Sequence, residues 1–177
     1  MENQKEAVIN RLKQIDREGI DKLIEFMEKR KFFTGPGSTK YHNAFEGGLL
    51  QHSVNVAKLF GQLCEQYKLD IPEDSIFLVD ILHDLCKASL YLGDEKPYKY
   101  NGFVGRAGHA KLSINRISRF IKLTEQEEKI IKYHMGMYAV GGYINEYDLK
   151  ELKDAFEDKL VKLFHFCDDI VAQFVDE

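Results

Sequence analysis

Val79-Asp80-Ile81-Leu82-His83-Asp84-Leu85-Cys86-Lys87 is the segment from which the rest of this chain can be placed. Just before it, Pro72-Glu73-Asp74 suits a first helical turn: proline gives up an N–H that is not needed there, and the carboxylates meet the positive helix end. A helix over 72–88 puts His83 on the face of Ile76 and Val79, with Asp80 and Asp84 beside it. Successive helical residues diverge by about 100°, so His83 and Asp84 can grip different sides of one centre. A His-Asp pair alone is weak evidence, because chance supplies such pairs. Its apolar helical setting gives it weight.

Working outward, helical periodicity dominates. Upstream, a helix follows Gly47-Gly48 and runs to about Tyr67, with the stripe Leu49, His52, Val56, Leu59, Phe60 and Leu63. Before it, Thr34-Gly35-Pro36-Gly37-Ser38-Thr39 reads as a loop. Helices are expected over 5–16 (Val8, Leu12, Ile15) and 18–30 (Ile20, Leu23, Ile24, Met27). Downstream, 89–108 is irregular, and Asn101-Gly102 between β-favouring runs predicts a small hairpin around 98–104. Helices resume at about 109–121, 124–137 and 147–175, the middle one opened by the capping box Thr124-Glu125-Gln126-Glu127. The expected fold is all-α: one domain over 1–177, with N-terminal helices 1–33 packed on a core of 40–175. No internal repeat or low-complexity stretch interrupts it.

Composition narrows the function. With 177 residues, 44% hydrophobic and 31% charged, the chain fits one globular domain. No apolar run approaches the roughly 20 residues of a membrane span. The N-terminus is polar and acidic rather than basic then apolar, so a cytoplasmic location without membrane association is expected. Cys64, Cys86 and Cys167 form no CxxC pair and read as reduced core residues. A net charge of −4, with basic and acidic residues interleaved, argues against an extended grip on nucleic acid. A small anionic substrate stays compatible, since a metal supplies local positive charge.

Six histidines, His42, His52, His83, His109, His134 and His165, carry the chemical argument. His52 and His83 lie in apolar stripes, and His134 continues the line of Ile130 and Ile131. In the last helix the apolar face contains Phe164, Cys167, Val171 and also Asp168, whereas Asp169 aligns with Lys162, His165 and Gln173. Asp168 is therefore expected to point inward and Asp169 outward. A lone buried charge costs several kcal/mol, so inward carboxylates need a partner or a metal. Imidazoles and carboxylates converging from separate helices are a common way to hold a transition metal.

In the order His52, His83-Asp84, Asp168 the chain resembles the HD superfamily of metal-dependent phosphohydrolases. Further motifs extend the likeness to a short single-domain HD group of bacteria and phages. They are Phe32 through His42, Glu46-Gly47-Gly48-Leu49-Leu50-Gln51-His52-Ser53, Gly108-His109 with Ser113, Tyr133-His134-Met135-Gly136, and Leu163-Phe164-His165 leading to Asp168. The resemblance implies that His52, His83, Asp84 and Asp168 hold a metal, and that His109 and His134 serve a second one with Asp84 bridging. One departure is Cys167-Asp168-Asp169, where a single Asp between apolar residues is the family's pattern; helix phasing favours Asp168.

The expected activity is hydrolysis of a phosphoester on a nucleotide or related small molecule. One or two divalent ions (Mn, Fe, Co or Ni, with Mg or Zn as alternatives) would activate water. Asp84, His109, His134 and Lys87 are the candidate catalytic residues, Lys87 and Arg106 as phosphate-facing cations. His42 is a candidate near the site or a loop residue, and His165 is not expected to be a ligand. Two other readings use the same residues: an HD-fold mixed-valent di-iron oxygenase, and a nucleotide-sensing module without turnover. Oligomeric state is not legible.

Overall fold

The computed structural model describes residues 2–93, 96–102, 108–137 and 146–176. Among them the helices are α1 (Glu2–Lys13), α2 (Ile20–Lys29), α3 (Gly48–Gln66), α4 (Glu73–Leu82), α5 (His109–Ile117), α6 (Glu125–Tyr133), α7 (Glu146–Phe156) and α8 (Lys159–Ile170). Strands β1 (Tyr91–Leu92) and β2 (Lys99–Tyr100) form the small sheet. This is the expected all-α bundle with one hairpin insert. No helix among the described residues is long and apolar enough to cross a membrane.

One buried cluster runs through the bundle, from Leu12 of α1 and Leu23 and Met27 of α2 to Phe60 of α3, Leu78 and Ile81 of α4, and Phe164 of α8. The periodic stripes read from the sequence are the residues that reach it. α3 is the central element, packed on α4 and α8, and it therefore brings residues distant in sequence to one place. Its start is fixed by a close approach of backbone. Gly48 lies so near the loop that a Cβ there would stand 2.0 Å from the carbonyl oxygen of Asn43. Leu49 N–H donates to Gly35 O at 3.0 Å and Gly47 N–H to Thr34 O at 2.9 Å, tying the 34–47 loop across the head of the helix.

Several helix boundaries differ from those expected, three of them in elements that position residues of the site. The helix over 72–88 stops at Leu82, and Leu85–Ser89 form a tighter 3₁₀ turn. The backbone groups this frees find partners: Cys86 N–H donates to Ser113 Oγ at 3.0 Å, and the Arg116 guanidinium donates to Cys86 O. The single helix over 147–175 is two, because Asp158 caps α8 by accepting from Leu160 N–H at 2.9 Å while its other oxygen accepts from Lys129 and Gln126. The helix over 124–137 ends at Tyr133, and Gly136, with φ of 54°, turns the chain away.

The hairpin pairs Tyr91 with Tyr100 and Leu92 with Lys99. Among the described residues Asn101-Gly102 follows the second strand, and Asn101 N–H donates to Leu90 O at 2.8 Å. Phe103, Val104 and Arg106 lie outside the described residues.

The capping box at the start of α6 is present, with Glu127 N–H donating to Thr124 Oγ1 at 3.2 Å and Thr124 N–H to Glu127 Oε2 at 2.8 Å. The Glu127 carboxylate is fully buried and also accepts from both Arg17 nitrogens, at 2.6 and 2.9 Å, and from Ser75 Oγ. Burial pushes its pKa up, but Arg17 together with the Thr124 and Ser75 donors outweighs this and holds it below the ordinary value. Removing one partner of such a pair typically costs about 3–5 kcal/mol. We expect Glu127→Ala to lose that much in urea unfolding at neutral pH. The pair's stabilisation is present above the ordinary glutamate pKa and is lost as pH falls through the depressed one. Acid titration of Glu127→Gln should lack that component.

Candidate metal centre

Five elements deliver the site. α3 contributes His52, the break after α4 contributes His83 and Asp84, the C-cap of α6 is His134, and α8 contributes Asp168. His109 opens α5 after Gly108. The structure thus brings together all six residues read as ligands: His52, His83, Asp84, His109, His134 and Asp168. Asp168 turns inward while Asp169 is exposed, as the phasing of the helix predicts.

Hydrogen bonds fix which nitrogen of each ring faces the centre. His83 Nδ1 donates to Asp80 O at 2.8 Å and His134 Nδ1 to Ile131 O at 2.7 Å, since a carbonyl oxygen can only accept. His52 Nδ1 lies 2.6 Å from Asp176 Oδ2, a carboxylate that also accepts from Asn55 Nδ2 at 2.8 Å. All three Nε2 atoms are therefore turned inward with lone pairs to offer. His52 Nε2 and His83 Nε2 stand 3.4 Å apart, and Asp168 Oδ1 lies 2.9 Å from the first and 3.6 Å from the second. Asp84 Oδ2 is 3.4 Å from His83 Nε2 and 3.7 Å from His52 Nε2.

Facing lone pairs and carboxylates repel unless a cation sits among them. A proton on His52 satisfies only one of these contacts. Donors about 2.1 Å from a common ion and roughly 90–110° apart lie roughly 3.0–3.4 Å from one another. The distances among His52, His83 and Asp168, and from Asp84 to the two histidines, span 2.9–3.7 Å, so these donors fit a divalent metal.

The second oxygen of Asp84 serves the other side. Oδ1 lies 2.5 Å from His109 Nε2 and 3.7 Å from His134 Nε2. His109 also has Nδ1 3.3 Å from Cys86 Sγ. Asp84 thus stands between two donor groups, one per oxygen.

Electrostatics follow from burial and neighbours. Burial raises the Asp84 pKa, but Lys87, His83 and His109 outweigh it and hold the carboxyl well below its ordinary value. Asp168 is likewise depressed against burial, by His52 and then by His83. Burial lowers the His52 pKa, yet the Asp168 and Asp176 carboxylates overcome it and raise it to about 9. For His109 burial prevails over Asp84, so its pKa is lowered.

Lys87, the candidate phosphate-facing cation, has its ammonium 2.7 Å from Asp84 Oδ2. The 3₁₀ turn suits this contact, because residues three apart eclipse there. His42 is half-buried, its ring 5.3 Å from that of His52, with a buried Nε2 that has no hydrogen-bond partner. His165 does not reach the cluster: its Nδ1 donates to His134 O at 2.6 Å, and its ring packs where a Cβ on Gly136 would fall. It positions the turn that presents His134.

Asp176 is the residue that sequence reasoning missed. After α8 the chain makes a wide π turn over Val171–Val175, with Asp176 N–H donating to Val171 O at 2.9 Å, and this swings the carboxylate back to His52. Wide turns of this kind are enriched at functional sites, but Val175-Asp176 carries no sequence signal that would announce one.

The sequence model of the HD domain matches residues 49–171, and the chain belongs to that family. Among curated proteins it is similar to the dihydroneopterin 2′,3′-cyclic phosphate phosphodiesterase of Methanocaldococcus jannaschii, 31% identical over 107 residues. That match covers 51% of this chain and 43% of the relative. No solved structure matches.

Proposed function

We propose that the chain is a metal-dependent phosphohydrolase acting on a phosphoester, a phosphodiester of a nucleotide or related small molecule being the leading class. The observation that carries the reading is Asp84, whose two oxygens face two separate histidine groups at 2.5–3.7 Å. His52, His83, Asp84 and Asp168 would hold one ion, and Asp84, His109 and His134 a second. Imidazole and carboxylate donors suit Mn, Fe, Co and Ni alike. A divalent ion bound there polarises a phosphoryl oxygen and lowers the pKa of a bound water toward neutrality. The similarity to a cyclic-phosphate phosphodiesterase supports the phosphodiester class.

The chain's own groups do the rest. The Lys87 ammonium, held by Asp84, is placed to neutralise a phosphate oxygen. Where His109 holds no second ion, its Nε2, beside Asp84, can instead donate a hydrogen bond to the negative charge of the phosphoryl group. The test is to strip the protein with chelator and restore Mn, Co, Ni, Mg or Fe in turn. Hydrolysis of bis(p-nitrophenyl) phosphate and of a nucleotide panel is followed. Turnover that returns with at least one ion and disappears with chelator is expected. Oxygen consumption without ester cleavage would move the chain to the di-iron oxygenase reading, and thermal stabilisation by nucleotide with no turnover to the sensing one.

A further inference from the structure

Two joined cavities lead away from Lys87. The nearer, about 310 Å³, has Lys87, Thr34, Glu46 and Tyr98 in its wall. The farther, about 490 Å³, is lined by Lys29, Arg30, Lys31, Arg116 and Arg119. Both include Lys31, Ala88, Tyr91 and Gly93, so they form one continuous depression.

The farther cavity has an unusual charge. Its described lining holds five cations and no carboxylate, in a chain whose net charge is −4. Several basic residues elsewhere meet acids, as in Lys5–Glu28, Arg11–Asp74, Arg17–Glu127, Lys129–Asp158 and Lys132–Glu151. Among the described residues, Lys29, Arg30 and Arg119 have no such partner. Arg116 is half-buried and anchored, its guanidinium donating to Cys86 O. Burial lowers its pKa, and the nearby Arg119 and Arg30 add to the shift. Like charges gathered in a concave wall focus a positive potential that favours an anion.

Distance also fits. The 3₁₀ turn connects the two places: Asp84 and Lys87 face the metal centre, and Ala88 and Ser89 line the basic cavity. At about 2 Å per residue, Asp84 and Ser89 lie roughly 10 Å apart along it. We propose that this cavity receives a second phosphate group of the substrate, so that the preferred substrate is a nucleotide chain carrying a phosphate beyond the ester that is cleaved. The proposal rests on the hydrolase reading above.

Two substrates with the same internucleotide bond test it: a deoxyadenosine dinucleotide with a 5′-phosphate, and the same dinucleotide without one. For the manganese-loaded protein, kcat/KM should favour the phosphorylated form at least about tenfold, as charge-assisted contacts allow. In Arg30→Ala/Arg119→Ala the ratio should fall to about one. In Lys58→Ala/Lys162→Ala, which removes equal charge from exposed positions on α3 and α8, it should persist. A wild-type ratio near one, or a ratio retained in the arginine variant, overturns the proposal. If neither dinucleotide is cleaved, the hydrolase reading fails separately, and calorimetry with inorganic tripolyphosphate decides the cavity. Binding by the wild type that is lost in the arginine variant supports an anion site there; no binding, or equal binding in both, overturns it.

Discussion

Asp84→Asn is expected to lower phosphodiester turnover at least roughly a thousandfold, within the range over which a positioned acid–base group acts, and to strip most of the bound metal. The amide keeps the shape of the side chain but loses the charge and one of the two acceptors. Oδ2 now meets Lys87 at 2.7 Å and His83 at 3.4 Å, and Oδ1 meets His109 at 2.5 Å. No single orientation of the amide can serve both sides. If its nitrogen faces His109, one donor group loses its carboxylate oxygen; if it faces Lys87, two donors confront each other. The nearly buried Lys87 would also lose its counter-charge, which destabilises such pairs by about 3–5 kcal/mol. Metal content by elemental analysis, initial rates at saturating manganese and thermal unfolding should therefore all be measured on one preparation. A folded, metal-loaded Asp84→Asn protein with undiminished turnover would remove Asp84 from the chemistry and with it the two-ion arrangement built on its two oxygens.

The sequence makes some parts of this centre legible and hides others, for identifiable reasons. His52 could be placed because α3 is a regular helix whose apolar stripe contains it, and regular helices transmit phase faithfully. The same regularity within α8 separates Asp168 from Asp169. Phase is lost where the chain changes helix type. The α4 pattern, read as running to 88, stops at Leu82, and the 3₁₀ turn that follows sets Lys87 against Asp84. The break at Asp158 could have been found, since an Asp before an apolar run is an N-cap signal, but the stripe running on through Leu152, Phe156 and Leu160 masked it. The expected hairpin region does hold a small sheet, in which β2 pairs backward to Tyr91, and the far side of Asn101-Gly102 lies outside the described residues. Asp176 was out of reach altogether, because a π turn obeys neither helical nor strand periodicity.

Asp176 also supplies the second large effect. Groups that orient a metal-ligating histidine from its far nitrogen typically contribute 10–100-fold to metal affinity. Asp176→Ala is therefore expected to weaken manganese binding by about that factor in competition with a chromogenic chelator. His52 Nδ1 would lose its acceptor 2.6 Å away, and the ring would no longer be held with Nε2 toward Asp168 and His83. Asn55 holds the carboxylate in turn, at 2.8 Å. Asn55→Ala should act in the same direction with a smaller effect, and the double variant should be no worse than Asp176→Ala alone, because Asn55 then has nothing left to position. Additive losses would mean that Asn55 and Asp176 act on the ion independently. Unchanged affinity in Asp176→Ala would mean that the ring of His52 is held by packing against His42 and His83 alone.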